Sequence, residues 1–271
     1  MPVPPHRSFV ALGDSFTEGL FDVVGADGRH LGWADRAATA LAADIPEFRY
    51  ANLAVRGKLL DEVVADQLPA AVAFAPDLVS FHAGGNDVLR PKADLGDLAA
   101  RYDAAVAQLR ATGAEVVLFT VIERAGGTSR FADGLARRIA AFNGRVVRPS
   151  AQRHGATLVD VGAVRALHDR RLWFEDRLHL DEAGHRRVAA AVLEALGVDD
   201  PTRLGGDPGW WRVPLDAAPT PPRAQVVADD LRWVRRHLAP WVSRRVRGVS
   251  SGDTVVSKRP QLSEPGPPPA S

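Results

Sequence analysis

The stretch SFVALGDSFTEG, residues 8–19, sets an apolar run, Ser8–Leu12, against a glycine turn and a polar segment that opens a helix. A short buried strand followed at once by a turn and a helix is the entry to a parallel α/β unit. Working outward, four more runs rich in Val, Phe and Leu read as strands: Phe48–Leu53, Leu78–His82, Glu115–Val121 and Thr157–Val161. Ala-rich amphipathic segments separate them at Trp33–Ala43, Leu59–Phe74, Leu95–Ala111 and Phe131–His154, and Glu182–Leu196 follows the last strand. Five short strands joined by helical crossovers predict an α/β protein with a five-stranded parallel sheet covered on both faces. Ligands of such sheets collect beyond the carboxyl ends of the strands, so the loops after strands one to three carry the search for chemistry.

The chain has 271 residues, 46% hydrophobic and 25% charged, enough apolar material for a sizeable core. Lys and Arg number 34 against 33 Asp and Glu, a net charge of +1, which gives no global field for nucleic acid. Cysteine is absent, which excludes disulfides, a thiolate nucleophile and thiolate metal sites. No apolar run approaches the roughly 20 residues of a membrane span. The opening MPVPPHRSFVALGDS lacks the shape of a signal peptide, so a cytoplasmic location is expected.

Composition divides the chain. Residues 1–198 hold the regular apolar periodicity of one α/β domain. Residues 199–221 form a connecting segment rich in Pro and Gly. Residues 222–248 read as a basic amphipathic helical arm, and 249–271, ending in SEPGPPPAS, as a disordered tail. From Pro222 to Arg259 there are nine Lys and Arg against three acids. In the arm, Leu231, Val234, Leu238, Trp241, Val242 and Val246 recur at helical spacing, with Pro240 as a kink or restart. That stripe is expected to pack on the core, anchored by Trp233 and Trp241; dimerisation and contact with an anionic membrane surface are the alternatives. The tail is expected to be dispensable.

Four segments converge on one end of such a sheet: GDSFTEG (13–19), NLAVRG (52–57), GGND (84–87) and DRLH (176–179). Together they hold a serine, an accessible glycine, an amide, a carboxylate and an imidazole, the inventory of an acyl-transfer site. Ser15 reads as a nucleophile at a helix start, or as a plain helix cap. Gly57 offers a backbone N–H to a ligand, or is a turn glycine. Asn86 offers an oxyanion donor, or simply tolerates a left-handed turn. Asp176 and His179, three apart, share one face of a helical turn, so the carboxylate can hold one imidazole nitrogen and leave the other to the serine. Of the other seven histidines, His82 is the strongest competitor and His185 reads as structural. GVSSG (248–252) matches the nucleophile-elbow pattern, but a basic helix precedes it and a polar tail follows, so Ser250 is rejected.

The joint order, GDS near the start, then N-x4-G, G-x-N-D and D-x-x-H, resembles the SGNH hydrolases, also called the GDSL esterase/lipase family. The resemblance covers roughly residues 8–196, with Phe16 where the family usually has Leu. It implies a three-layer α/β/α, flavodoxin-like fold with a C-terminal extension. It implies Ser15 as nucleophile, His179 as base and Asp176 as its orienting acid, and an oxyanion hole from the N–H groups of Ser15 and Gly57 and the side chain of Asn86. No metal or cofactor is needed. The expected reaction is hydrolysis of a small carboxylic ester through an acyl-serine; an acyltransferase with the same triad and a non-catalytic binding module are the other readings. Phe16, Leu20, Phe21 and Trp33 are candidates for an acyl pocket, or for ordinary core.

Overall fold

The computed structural model describes residues 6–25, 28–43, 45–90, 92–123, 130–219, 221–247 and 250–266; of 130, 131 and 244–246 it describes the backbone alone. In chain order the elements are β1 (Ser8–Gly13), α1 (Ser15–Glu18), α2 (Gly32–Ala42), β2 (Arg49–Asn52), α3 (Leu60–Asp66), α4 (Leu68–Phe74), β3 (Leu78–His82), α5 (Gly85–Val88) and α6 (Leu95–Ala111). There follow β4 (Glu115–Phe119), α7 (Arg130–Phe142), α8 (Arg148–His154), β5 (Thr157–Val159), α9 (Glu182–Ala195), α10 (Pro201–Leu204), α11 (Arg223–Trp233), α12 (Ala239–Val246) and β6 (Arg259–Ser263). A π-helical turn joins α7 to α8, and another joins α11 to α12.

The sheet order is β5-β4-β3-β1-β2-β6. The first five strands are parallel, as expected, because each crossover carries a helix. Successive strand residues enter opposite cores. Phe9, Ala11, Tyr50, Leu78, Val117 and Phe119 face α2 and α9. Val10, Leu12, Ala51, Val79, Phe81, Val116 and Leu118 face α3, α4 and α6. This double burial is why β1 and β4 read as nearly unbroken apolar runs. The segment Leu59–Phe74 is two helices rather than one: Gln67 ends α3, and Pro69 opens α4.

The C-terminal quarter departs from expectation in three ways. First, the segment 199–221 is more than a connection. Leu204 and Trp211 belong to the core beside α9, where Glu194 accepts from the Trp211 indole at 2.9 Å. Second, the arm leaves much of its apolar stripe uncovered: Leu231 is 61% exposed and Val234 and Val242 are also exposed, while Leu238 and Trp241 are half-buried. The side chain of Val246 lies outside the described residues. Third, the tail is not disordered through residue 266; 267–271 lie outside the described residues. Strand β6 pairs antiparallel with β2, Tyr50 opposite Ser263 and Asn52 opposite Arg259, making the sheet six-stranded and mixed. Pro260 is compatible with this place because β6 is an edge strand. Just before it, Lys258 is buried and donates to the carbonyls of His30 at 2.8 Å and Leu31 at 2.7 Å, and to the Asp35 carboxylate.

Asp35 is buried beside that ammonium. Burial is the dominant influence and raises its pKa even against the attraction of Lys258 and Arg259. Removing one member of a buried pair leaves the other without its partner. Lys258→Ala should therefore destabilise the fold by about 3 kcal/mol, the low end of the usual range, because Arg259 remains 3.4 Å from Asp35. A chain ending at residue 249 should lose at least as much. Urea unfolding of both at pH 7 checks this; a midpoint matching the full chain would mean that the C-terminal strand adds nothing to the fold.

Candidate active site

The site begins at the carboxyl end of β1. The N–H and C=O of Gly13 are both held by the buried amide of Gln67, at 2.8 and 2.9 Å. Asp14 then caps α1, accepting from the Phe16 N–H at 3.1 Å. Ser15 is thereby the first helical residue, at the open end of the sheet. Across from it, residues 174–180 form a tight turn. Phe174 donates to the His179 carbonyl at 2.8 Å, and Asp176 accepts from the N–H groups of Leu178 and His179 at 3.0 and 3.1 Å.

The two segments meet through one imidazole. His179 Nε2 lies 2.9 Å from Ser15 Oγ, and His179 Nδ1 lies 2.6 Å from Asp176 Oδ2. Burial disfavours charge on Asp176, but the bond from His179, the attraction between the two groups and the two backbone amides outweigh burial and hold the pKa below the ordinary 3.8. With an ionised carboxylate at Nδ1, that nitrogen carries the proton, and Nε2 is left to accept from the serine hydroxyl.

The residues read as oxyanion donors border this line. Asn86 Nδ2 donates to the Lys58 carbonyl at 3.0 Å and to Asp14 Oδ2 at 3.2 Å. Both neighbours are acceptors, which fixes the NH2 end of the amide toward them. Gly57 lies between two anchored residues. On one side Arg56 donates its N–H to Glu18 Oε2 at 2.7 Å and its Nε to Glu18 Oε1 at 2.9 Å; on the other the Lys58 carbonyl meets Asn86. Gly57 itself has φ +76°, and a Cβ there would fall 2.3 Å from Ser250 Oγ. Ser250 thus sits against the site without being built like a nucleophile. It lies in a turn, its N–H donates to Asp253 Oδ2 at 2.8 Å, and its hydroxyl accepts from the Gly252 N–H at 3.2 Å.

A model of the GDSL-like Lipase/Acylhydrolase family matches residues 11–187. The chain belongs to this family. As a member of this lipase and acylhydrolase family, it is a carboxylic ester hydrolase. No curated protein matches it by sequence. Among solved structures, LAE5, an α/β hydrolase enzyme from the metagenome of Lake Arreo, Spain, superposes with TM-score 0.59 at 25% identity, covering 71% of this chain and 95% of its own. Axe2, an acetylxylan esterase from Geobacillus stearothermophilus, superposes with TM-score 0.58 at 23% identity, covering 70% and 94%. Catalytic mutants of Axe2 replace a serine, an aspartate and a histidine three positions beyond that aspartate. TesA gives TM-score 0.56 at 22% identity, covering 70% and 98%. The fold expected of a GDSL hydrolase is therefore present, with one strand more than expected.

Sequence reasoning missed several supports. Gln67 on Gly13, Glu18 on Arg56 and Asp87, whose Oδ2 accepts from the Leu60 N–H at 2.9 Å, join loops far apart in the chain. Their only trace in the sequence is a polar residue inside an otherwise buried stretch. Of the proposed pocket residues, Trp33 and Leu20 are core. Phe16 packs among Trp33, His82 and Phe119. Phe21 alone reaches the site, 5.4 Å from the His179 ring and stacked on Phe174 at 3.8 Å. His82 is buried and approaches Asp14 Oδ1 at 3.3 Å without hydrogen-bond alignment, so it braces the cap.

His185 is fully buried behind the site, where Nδ1 accepts from the Trp33 N–H and Nε2 donates to the Leu20 carbonyl, both at 3.3 Å. Burial, only partly opposed by Asp22, pushes its pKa from 6.5 down to about 4. The folded protein keeps this imidazole neutral, whereas the unfolded chain takes up a proton near pH 6.5. Its contribution is therefore full above about pH 6.5 and falls as pH drops toward 4, a loss of about 3 kcal/mol. In urea titrations at pH 7 and pH 4, His185→Gln should start less stable and lose less on acidification than wild type. Equal losses would place the acid sensitivity elsewhere.

Proposed function

We propose that the chain hydrolyses short-chain acyl or acetyl esters through an acyl-serine intermediate. The observation that carries this reading is the single imidazole of His179 placed between Ser15 Oγ at 2.9 Å and Asp176 Oδ2 at 2.6 Å. As Ser15 Oγ attacks the ester carbonyl, its proton passes to His179 Nε2. The imidazolium is stabilised by the ionised Asp176. The carbonyl oxygen becomes an oxyanion facing the N–H groups of Ser15 and Gly57 and the amide of Asn86. When the C–O bond breaks, His179 returns the proton to the departing alcohol and the acyl group remains on Ser15. Water then repeats the sequence: it loses a proton to His179, the acid leaves, and Ser15 recovers its hydrogen.

Two features support a small substrate. The stacked rings of Phe21 and Phe174 stand beside His179, and Ser250 occupies the space over Gly57. The Axe2 neighbour, an acetylxylan esterase with a serine and an Asp-x-x-His pair in its catalytic mutants, supports the same reading.

Asn86 would exchange its long 3.2 Å bond to Asp14 for the oxyanion, so its largest effect falls in the transition state. Asn86→Ala should lower kcat by ~10²–10³ with KM within a few-fold. A mainly KM effect would make Asn86 a ground-state binding group. For the nucleophile, a panel of p-nitrophenyl esters of rising acyl length, run with wild type and Ser15→Ala, is the deciding experiment. Activity should be greatest on acetyl and other short chains and vanish in Ser15→Ala. A fluorophosphonate adduct should map to Ser15 and persist in Ser250→Ala; an adduct on Ser250 would overturn the assignment.

A further inference from the structure

The turn that carries Asp176 and His179 is gripped from outside by the C-terminal arm. The Trp233 indole N–H donates to the Asp176 carbonyl at 2.9 Å. The Arg177 guanidinium lies over the Trp233 ring, 4.8 Å from its centroid, and pairs with Asp230 at 2.7 Å. Farther along, His237 meets Phe174 edge-on at 6.4 Å and Arg236 approaches Glu175 at 3.8 Å. Asp230, Trp233 and His237 recur at the spacing of one helical face.

These contacts bear on a strained point. Arg177 has φ +60°, a left-handed conformation that is unfavourable by about 1–3 kcal/mol for a bulky residue and persists only where its surroundings impose it. The peptide unit joining Asp176 to Arg177 is held on both sides: its N–H donates to the Phe174 carbonyl at 3.1 Å, and its carbonyl accepts from Trp233. The arm's apolar residues do not account for this docking. No residue of α11 is buried, and Val227 and Leu231 are 57% and 61% exposed. The helix therefore meets the catalytic turn through its polar and aromatic face.

We infer that Trp233, assisted by Asp230, is a positioning residue of the esterase: from the C-terminal arm it fixes the Asp176–Arg177 peptide and so the direction in which Asp176 and His179 face Ser15. This rests on the triad reading given above. Without the indole N–H the peptide is free to rotate, Arg177 relaxes toward negative φ, and the imidazole loses its alignment with the serine. Misplacement of a base by a fraction of an ångström is felt in kcat, while the surfaces that bind the ester remain.

The test uses the full chain with p-nitrophenyl acetate. Trp233→Phe keeps a ring over Arg177 and deletes only the donor; Asp230→Asn, at an exposed position, deletes the charge and gives an independent reading should the first variant fold poorly. Trp233→Phe should lower kcat roughly 10- to 10²-fold with KM within about twofold and an unchanged melting temperature. Asp230→Asn should act in the same direction by a smaller factor. In proton NMR, the downfield resonance of the His179 Nδ1–H, bonded to Asp176, should shift or broaden in both. Ser15→Ala is assayed alongside. If Ser15→Ala stays active, the triad reading falls and this inference with it. If Ser15→Ala is dead while both arm variants keep wild-type kcat and resonance, only the positioning role is overturned. A rise in KM alone, or a loss of kcat that tracks a loss of melting temperature, overturns it as well.

Discussion

Gly13 ends β1 in a space that no other residue can occupy. A Cβ there would lie 2.5 Å from the His82 carbonyl oxygen and 2.7 Å from Thr17 Oγ1. The carboxyl ends of β1 and β3 can therefore close on each other, and Gln67 fixes the glycine peptide groups that would otherwise be buried without partners. From that contact the rest of the site is determined in sequence. Asp14 falls where it caps α1 and receives Asn86. Glu18, one turn along, receives Arg56 and so places Gly57. The serine hydroxyl emerges between them.

What could be read from the sequence was what depends on local pattern. The five parallel strands were legible because most of their residues lie in the two cores, and Leu78–His82 and Leu95–Ala111 were bounded correctly by their apolar content and flanking turns. The four loops were legible because an acyl-transfer site needs a few residue types at the strand ends. Strand β6 was not. RPQLS has neither alternation nor β-branched content and contains Pro, so nothing in it argues for a strand until the free edge of β2 is known. Lys258 looked like one more tail cation, since its partners, the His30 and Leu31 carbonyls and Asp35, lie more than two hundred residues away in sequence. Of the arm, the helix and the Trp233 anchor were legible and the docking face was not, because helical spacing finds an apolar stripe but does not say which face docks.

The C-terminal extension closes around the catalytic domain at three places. Leu204 and Trp211 complete the core beside α9, the arm meets the turn before His179, and the chain from Ser250 to Ser263 runs across Gly57 and onto the β2 edge. Gly252 lies so near the Arg56 carbonyl that a Cβ would stand 2.0 Å from its oxygen, so this crossing is a close backbone contact. Covering β2 also removes an unpaired edge, a standing risk for sheet-to-sheet association. The extension thus reaches both the loop proposed to supply an oxyanion donor and the turn proposed to supply the base.

The energetics of that turn explain why it needs such support. Two non-glycine residues near His179 adopt positive φ, Phe21 at 68° and Arg177 at 60°. Each is disfavoured by about 1–3 kcal/mol. Each is also engaged by an aromatic contact: Phe21 stacks on Phe174 with planes 4° apart, worth ~0.5–1.5 kcal/mol beyond its burial, and Arg177 lies over Trp233, worth ~0.5–1 kcal/mol at an exposed site. The opposing quantities are of the same size. Local preference therefore does not fix the conformation around the imidazole; contacts from other elements tip the balance. The D-x-x-H spacing states which residues meet Ser15, while the geometry in which they meet is set by Phe21 from the loop after α1 and by Trp233 from the arm. A segment outside the family motifs thus becomes part of the architecture of the proposed base.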